Sequence, residues 1–319
     1  MRKKENSYFQ KRYQSQVIPY FNKKGVAGHF TGKGKVRLTY RKFLATGPQS
    51  KWQRCALIIL PGRAEPIQKY AEIIYDLGGL GCSIYIMEHR GQGESSRVDG
   101  CPIQYVENFA DYVEDLDTFI KKVVNQRGHT KLLLLAHSMG GAIGTLYVSQ
   151  HPGVFHAMAL SAPMFDINTR GLPKFLAHGI AQFLCRLGLG KFSEPTGAGE
   201  ARVTSSRARR QLNQRVTLQF SCIHPQKISF RWLKASLEAL RVIQNQASSI
   251  SIPVLLLQAG RDLLVPAKGQ NDFCRKVSQT KKYLFPKGYH ELLMERACIR
   301  NEVLEKIRTF FLNQIRSRG

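Results

Sequence analysis

The run Leu132-Leu133-Leu134-Leu135-Ala136-His137-Ser138-Met139-Gly140-Gly141 sets a serine between an apolar stretch and a segment that opens like a helix. A serine in such a strand-to-helix turn is a nucleophile elbow. Its backbone is strained at positive φ, and its hydroxyl stands exposed above the sheet edge. Strand and helix pack closely there, so the residues two before and two after the serine must be small. Ala136 and Gly140 are small. Glycine is usual at the first of these positions, so Ala136 departs from the pattern by one methyl group. The chemistry this spacing allows is attack of the Ser138 hydroxyl on an acyl carbon.

A hydroxyl is a weak nucleophile until a base takes its proton, and the base needs an acid to orient it. In elbow enzymes the chain order is Ser, acid, His. His290, in Pro286-Lys287-Gly288-Tyr289-His290-Glu291, is the only histidine after His224 and is the expected base. Asp262, in Ala259-Gly260-Arg261-Asp262, is the expected acid, and Asp166 is its rival. His137 should project away from the hydroxyl and pack, and His89, His129 and His151 sit at element ends where structural roles are expected. A tetrahedral oxyanion needs two N–H donors, each worth ~3 kcal/mol when removed singly. The backbone of Met139 is one candidate. The other is Arg63, in Leu60-Pro61-Gly62-Arg63, because Gly62 lets that backbone come close. The helix after Ser138 would add the positive end of its dipole.

These residues need elements to hold them. Short apolar runs at 55–60, 82–87, 132–136 and 157–160 alternate with helical patterns at 67–77, 107–124 and 140–150, and 88–96 is a glycine-rich loop. Continuous apolar strands in βαβα order imply a parallel sheet with helices on both faces. The alternation stops across 162–250, which reads as helical. It resumes with a strand at 253–258, a helix at 267–277, a strand at 281–285 and a last helix over 293–312. The expected organisation is therefore an α/β core of residues 55–161 and 251–319, a helical cap inserted at 162–250, and a basic amino-terminal extension with leading strands at 1–54. Ligands bind at the carboxyl edge of such sheets, beneath the cap. In the cap, Leu172, Phe175, Leu176, Ile180, Phe183, Leu184 and Leu187 share one helical face, opposite Lys174, His178 and Gln182. That face could line an acyl channel, rest on a membrane, or pack within the cap.

The chain of 319 residues carries a net charge of +26. Residues 55–161 hold 8 Lys/Arg against 11 Asp/Glu, whereas residues 1–54 hold 14 against 1. The basic excess thus lies outside the segment with the nucleophile. It fits an anionic membrane surface, nucleic acid, or a basic background without specific meaning. No nucleic-acid-binding motif is present, so nucleic acid is not expected as a partner. The seven cysteines are scattered, with neither a metal spacing nor a disulfide framework. No dinucleotide fingerprint occurs, so no cofactor or metal is expected. No apolar stretch approaches the ~18 residues of a membrane span, and the basic start lacks the apolar core of a signal peptide. A cytoplasmic protein, peripheral on the inner face of the membrane, is expected.

The run 135–143 resembles the elbow of monoacylglycerol-lipase-like serine hydrolases of the α/β-hydrolase fold, and most of all bacterial lysophospholipases of the L-two type. The similarity includes Pro61-Gly62-Arg63, Tyr70-Ala71-Glu72, His89-Arg90-Gly91-Gln92-Gly93, His151-Pro152-Gly153-Val154, Ala162-Pro163-Met164-Phe165 and Leu255-Leu256-Leu257-Gln258-Ala259. It covers about residues 55 to 300, cap included. The resemblance implies hydrolysis of the acyl ester of a lysophospholipid, with monoacylglycerol as the next substrate class. An esterase or peptidase of other specificity on the same scaffold stays open, because fold and triad do not fix a substrate. So does a non-catalytic basic protein, against which the Ser, Asp, His order argues.

Overall fold

A computed structural model describes residues 2–46, 54–97, 104–193, 202–220 and 227–316. The chain starts with α1 (Arg2–Arg12), a π-helical turn at Tyr13–Val17 and α2 (Ile18–Lys24), then the hairpin β1 (Gly25–Thr31) and β2 (Arg37–Phe43). The core follows as β3 (Cys55–Leu60), α3 (Ala71–Leu77), β4 (Ser83–Met87), α4 (Ala110–Phe119), β5 (Lys131–His137), α5 (Met139–Gln150) and β6 (Ala157–Ser161). Three further helices, α6 (Lys174–Arg186), α7 (Arg207–Phe220) and α8 (Phe230–Gln246), precede β7 (Val254–Ala259), α9 (Ala267–Lys276), β8 (Thr280–Phe285) and α10 (Ala297–Arg316).

The eight strands form one sheet in the order β1-β2-β4-β3-β5-β6-β7-β8, parallel from β4 to β8, with β1 and β2 antiparallel at one edge. The leucine-rich strands are buried on both faces because successive side chains alternate between two cores. Ala56, Ile58, Leu60, Leu132, Leu134 and Ala136 pack on the side of α4, α5 and α8. Cys55, Leu57, Ile59, Leu133 and Leu135 pack on the side of α3 and α10. From β3 the chain winds to β4 on one side and returns to β5 on the other. The sheet therefore has its topological switch point between β3 and β5, where a crevice opens at the strands' carboxyl ends. The α/β-hydrolase fold is the result.

Residues 2–24 correct the expectation of an extension. Phe9, Tyr13, Val17 and Phe21 recur every fourth residue and are buried in the second core. Arg12 ion-pairs with Glu72 at 3.2 Å and with Asp76, both buried on α3. Arg300 of α10 pairs with both carboxylates, and Arg209 of α7 pairs with Glu72. The segment is thus part of the folded core.

Candidate active site

Ser138 follows β5 and caps α5, with φ +51° and ψ −118°. An L-residue holds that conformation only where its surroundings over-determine it. Here the Ser138 N–H donates to Ser161 O at 3.1 Å, and the Ser138 carbonyl accepts from Gly141 and Met164 N–H, both at 2.9 Å. Gly140 answers the need for a small residue in a specific way. A methyl group on its α-carbon would stand 2.5 Å from the Pro61 carbonyl oxygen and run into that of Leu60. Ala136 is fully buried and carries its extra methyl in the first core.

Asp262 and His290 arrive on two loops that the sheet sets side by side. Gly260 N–H donates to Phe285 O and Arg261 N–H to Gly288 O, both at 2.9 Å. His290 Nε2 lies 2.9 Å from Ser138 Oγ, and His290 Nδ1 lies 2.7 Å from Asp262 Oδ2. The other carboxylate oxygen of Asp262 accepts from Leu264 and Val265 N–H at 2.9 Å, so its orientation is fixed. With the proton on Nδ1 facing the carboxylate, the Nε2 lone pair faces the hydroxyl. Burial pulls the His290 pKa down, but the charge and hydrogen bond of Asp262 outweigh it, and the net shift is upward. Burial pushes Asp262 up and His290 draws it down further, for a net lowering. Asp166 does not join them. Its buried carboxylate pairs with Lys174 at the start of α6.

His137 packs, as expected from its position. Its Nδ1 lies 2.9 Å from Ser161 O and its ring 4.9 Å from that of His290. His89 bonds Pro61 O, His129 bonds the Tyr85 hydroxyl, and His151 stacks on Tyr147. Arg63 follows β3 beside the elbow. Its guanidinium donates to Lys227 O at 3.4 Å and lies 5.7 Å from the Trp232 ring of α8, so the loop also touches α8 and the segment before it. Met139 is the first residue of α5, where backbone N–H groups have no partner within the helix.

The profile of the serine aminopeptidase S33 family matches residues 52–297. The chain is 34% identical over 298 residues to lysophospholipase L2 of Escherichia coli K12, covering 88% of this chain and 86% of the relative.

The chain belongs to the serine aminopeptidase S33 family.

This S33-family serine hydrolase is also 26% identical to the monoacylglycerol lipase of Mycolicibacterium smegmatis, over 83% of this chain and 90% of that one. The crystal structure of Paleococcus ferrophilus monoacylglycerol lipase shares its fold, with a TM-score of 0.70 and 21% identity over 87% of this chain and 99% of that chain. The relatives are of the kind that the elbow resembles.

Two features of the hydrolase escaped the sequence. One is a buried polar cluster behind the histidine. Lys69 Nζ donates to Glu65 Oε1 and Glu291 Oε1, both at 2.6 Å, and Asn213 of α7 donates to Glu291 Oε2 at 3.0 Å. Opposite charges four residues apart at Glu65 and Lys69 were the available local signal, whereas Glu291 and Asn213 meet them only in three dimensions. The other is the sense of α6. Ala177, Ala181 and Cys185 face inward, and His178 reaches Glu238 of α8 at 3.0 Å. The large apolar side chains face outward, with Phe175 67% and Phe183 60% exposed. Packing within the cap, one of three readings of that face, is overturned.

Proposed function

We propose that the protein hydrolyses the acyl ester of lysophospholipids through an acyl-enzyme on Ser138. The reading is carried by one observation, the His290 imidazole bridging Ser138 Oγ and Asp262 Oδ2, in a chain whose relative is named lysophospholipase L2. His290 Nε2 accepts the hydroxyl proton as Oγ attacks the ester carbon. Asp262 holds the imidazole in that tautomer and stabilises the imidazolium. The N–H groups of Met139 and Arg63 receive the oxyanion. Collapse expels the glycerol oxygen, which takes the proton from His290. A water, deprotonated by the same nitrogen, then releases the fatty acid and regenerates Ser138.

Helices α6, α7 and α8 form the cap over this site. The outward apolar face of α6 rests on the bilayer that holds the substrate, and exposed basic side chains such as Lys11, Lys23, Lys24 and Arg186 add attraction to anionic lipid. No helix among the described residues is long and apolar enough to cross a membrane. Monoacylglycerol is the second reading, favoured by the Mycolicibacterium relative. Both substrates are one-chain esters of glycerol and differ in the head group. A panel of lysophospholipids, monoacylglycerols, short-chain esters and aminoacyl amides decides between them. Highest kcat/KM on lysophospholipid is expected. Highest kcat/KM on monoacylglycerol would move the assignment, and cleavage of amides alone would overturn it.

A further inference from the structure

The run Glu88-His89-Arg90-Gly91-Gln92-Gly93 takes no part in the chemistry above, yet its buried side chains converge on the loop after β3. Gln92 is fully buried, and its Oε1 accepts from Ala64 N–H at 2.6 Å. An N–H cannot donate to an amide nitrogen, so this bond fixes which way the carboxamide points. Gln92 Nε2 then faces the Gly62 carbonyl oxygen at 3.4 Å. His89 Nε2 donates to Pro61 O at 3.0 Å, and Glu88 Oε1 accepts from Ile67 N–H at 3.0 Å. Within the loop, Glu65 Oε2 accepts from Gly62 N–H at 2.6 Å. The run itself is anchored. Arg90 grips Asp115 of α4 through Nε at 2.7 Å and Nη2 at 2.8 Å. Gly93 lies at φ +51°, and a Cβ there would enter the Glu88 carboxylate.

The consequence lies in one peptide plane. In a trans peptide the carbonyl and the following N–H point in opposite directions. The Gly62 carbonyl turned inward to Gln92 therefore turns the Arg63 N–H away from Gln92. The next residue, Ala64, sits at φ +60°, a conformation that an alanine keeps only when held. Gln92 holds it through the same carboxamide.

We propose that Gln92 is a positioning residue for the oxyanion hole, its carboxamide fixing the peptide planes on both sides of Arg63. This rests on Arg63 as an oxyanion donor, as assigned above.

The test uses the full-length protein with Gln92→Met, which keeps the side-chain length without the hydrogen bonds. Gln92→Glu keeps the acceptor for Ala64, loses the amide donor to Gly62, and stands in if Gln92→Met does not fold. Active sites are counted by fluorophosphonate titration, and kcat and KM are measured per site on a soluble short-chain ester. Affinity for a trifluoromethyl ketone, which forms a tetrahedral oxyanion on the serine, is measured beside them. A misaimed donor lowers kcat ~10- to 100-fold, leaves KM within about twofold, and weakens the ketone in proportion to kcat/KM. A residue that only supports the fold would reduce the titratable fraction and leave kcat per site and ketone affinity unchanged, which would overturn the proposal. If Ser138→Ala still cleaves the ester, or the ketone does not inhibit the wild type, the active-site reading fails and takes the proposal with it.

Discussion

Gly140 and Pro61 touch through their backbones, the α-carbon of one facing the carbonyl of the other across the gap between α5 and the loop after β3. A methyl group on Gly140 would stand 2.5 Å from the Pro61 oxygen, and neither group can swing aside as a side chain would. Gly140→Ala should therefore push the elbow away from the loop that carries Arg63. The expected outcome is a loss of at least ~100-fold in kcat on a soluble ester, the scale of a lost oxyanion donor. Ala136→Gly, at the matching small position, should keep full activity and cost about 0.5–1 kcal/mol of stability by thermal melting. Normal turnover in Gly140→Ala would refute the tight contact.

Ser138→Ala should lower kcat by ~10⁴ to 10⁶, and His290→Ala by about as much, since the three groups act as a unit. Fluorophosphonate labelling should vanish in Ser138→Ala while the circular dichroism spectrum is retained. Near-wild-type esterase activity in either variant would remove the assignment.

Asp262→Asn should cost ~10⁴ in kcat, because the imidazole would be held in the wrong tautomer. Asp166→Asn should change kcat only a few-fold, since its carboxylate meets Lys174 and not His290. The pH profile gives an independent check. His290 must be neutral to act as a base, and its pKa is raised, Asp262 outweighing burial. Activity should thus fall, as pH is lowered, through a value above the ordinary histidine pKa. In Asp262→Asn burial remains and the charge is gone, so the acid limb of the residual activity should move to lower pH. An unmoved limb would argue that another group titrates there.

Phe175→Ser with Phe183→Ser should reduce sedimentation with anionic vesicles, with no change on a soluble ester, because both side chains face outward from α6. Binding should also weaken as salt rises, since exposed charges are screened over ~8 Å at physiological ionic strength. Vesicle binding that ignores both the substitutions and salt would remove the membrane contact from the proposal.

Removal of residues 1–24 separates structure from charge. A detachable basic arm would leave the triad working. Phe9, Tyr13, Val17 and Phe21 are buried, however, and each such side chain contributes about 1.5–3 kcal/mol. Losing all four is comparable with the total stability of about 5–15 kcal/mol of a domain. The truncated protein should melt far below the full chain or fail to fold, as read by calorimetry.

What could be read along the chain was what depends on near neighbours. The leucine run, the small residues around Ser138 and the apolar alternation specify strand, elbow and helix within a few residues, so the parallel sheet and the nucleophile were legible. The four-residue spacing of Phe9, Tyr13, Val17 and Phe21 was equally local, but basic side chains dominate that stretch and masked a helix that packs on α3. The tertiary structure decided what depends on residues far apart. It set Asp262, and not Asp166, against His290, although both follow strands in the right order. It also brought Gln92 and Glu65 to the backbone around Arg63. Periodicity told that α6 has two faces, yet could not tell which one turns inward. That outcome depends on the surface beneath the helix, where α8 admits Ala177 and Ala181 and leaves Phe175 and Phe183 outside.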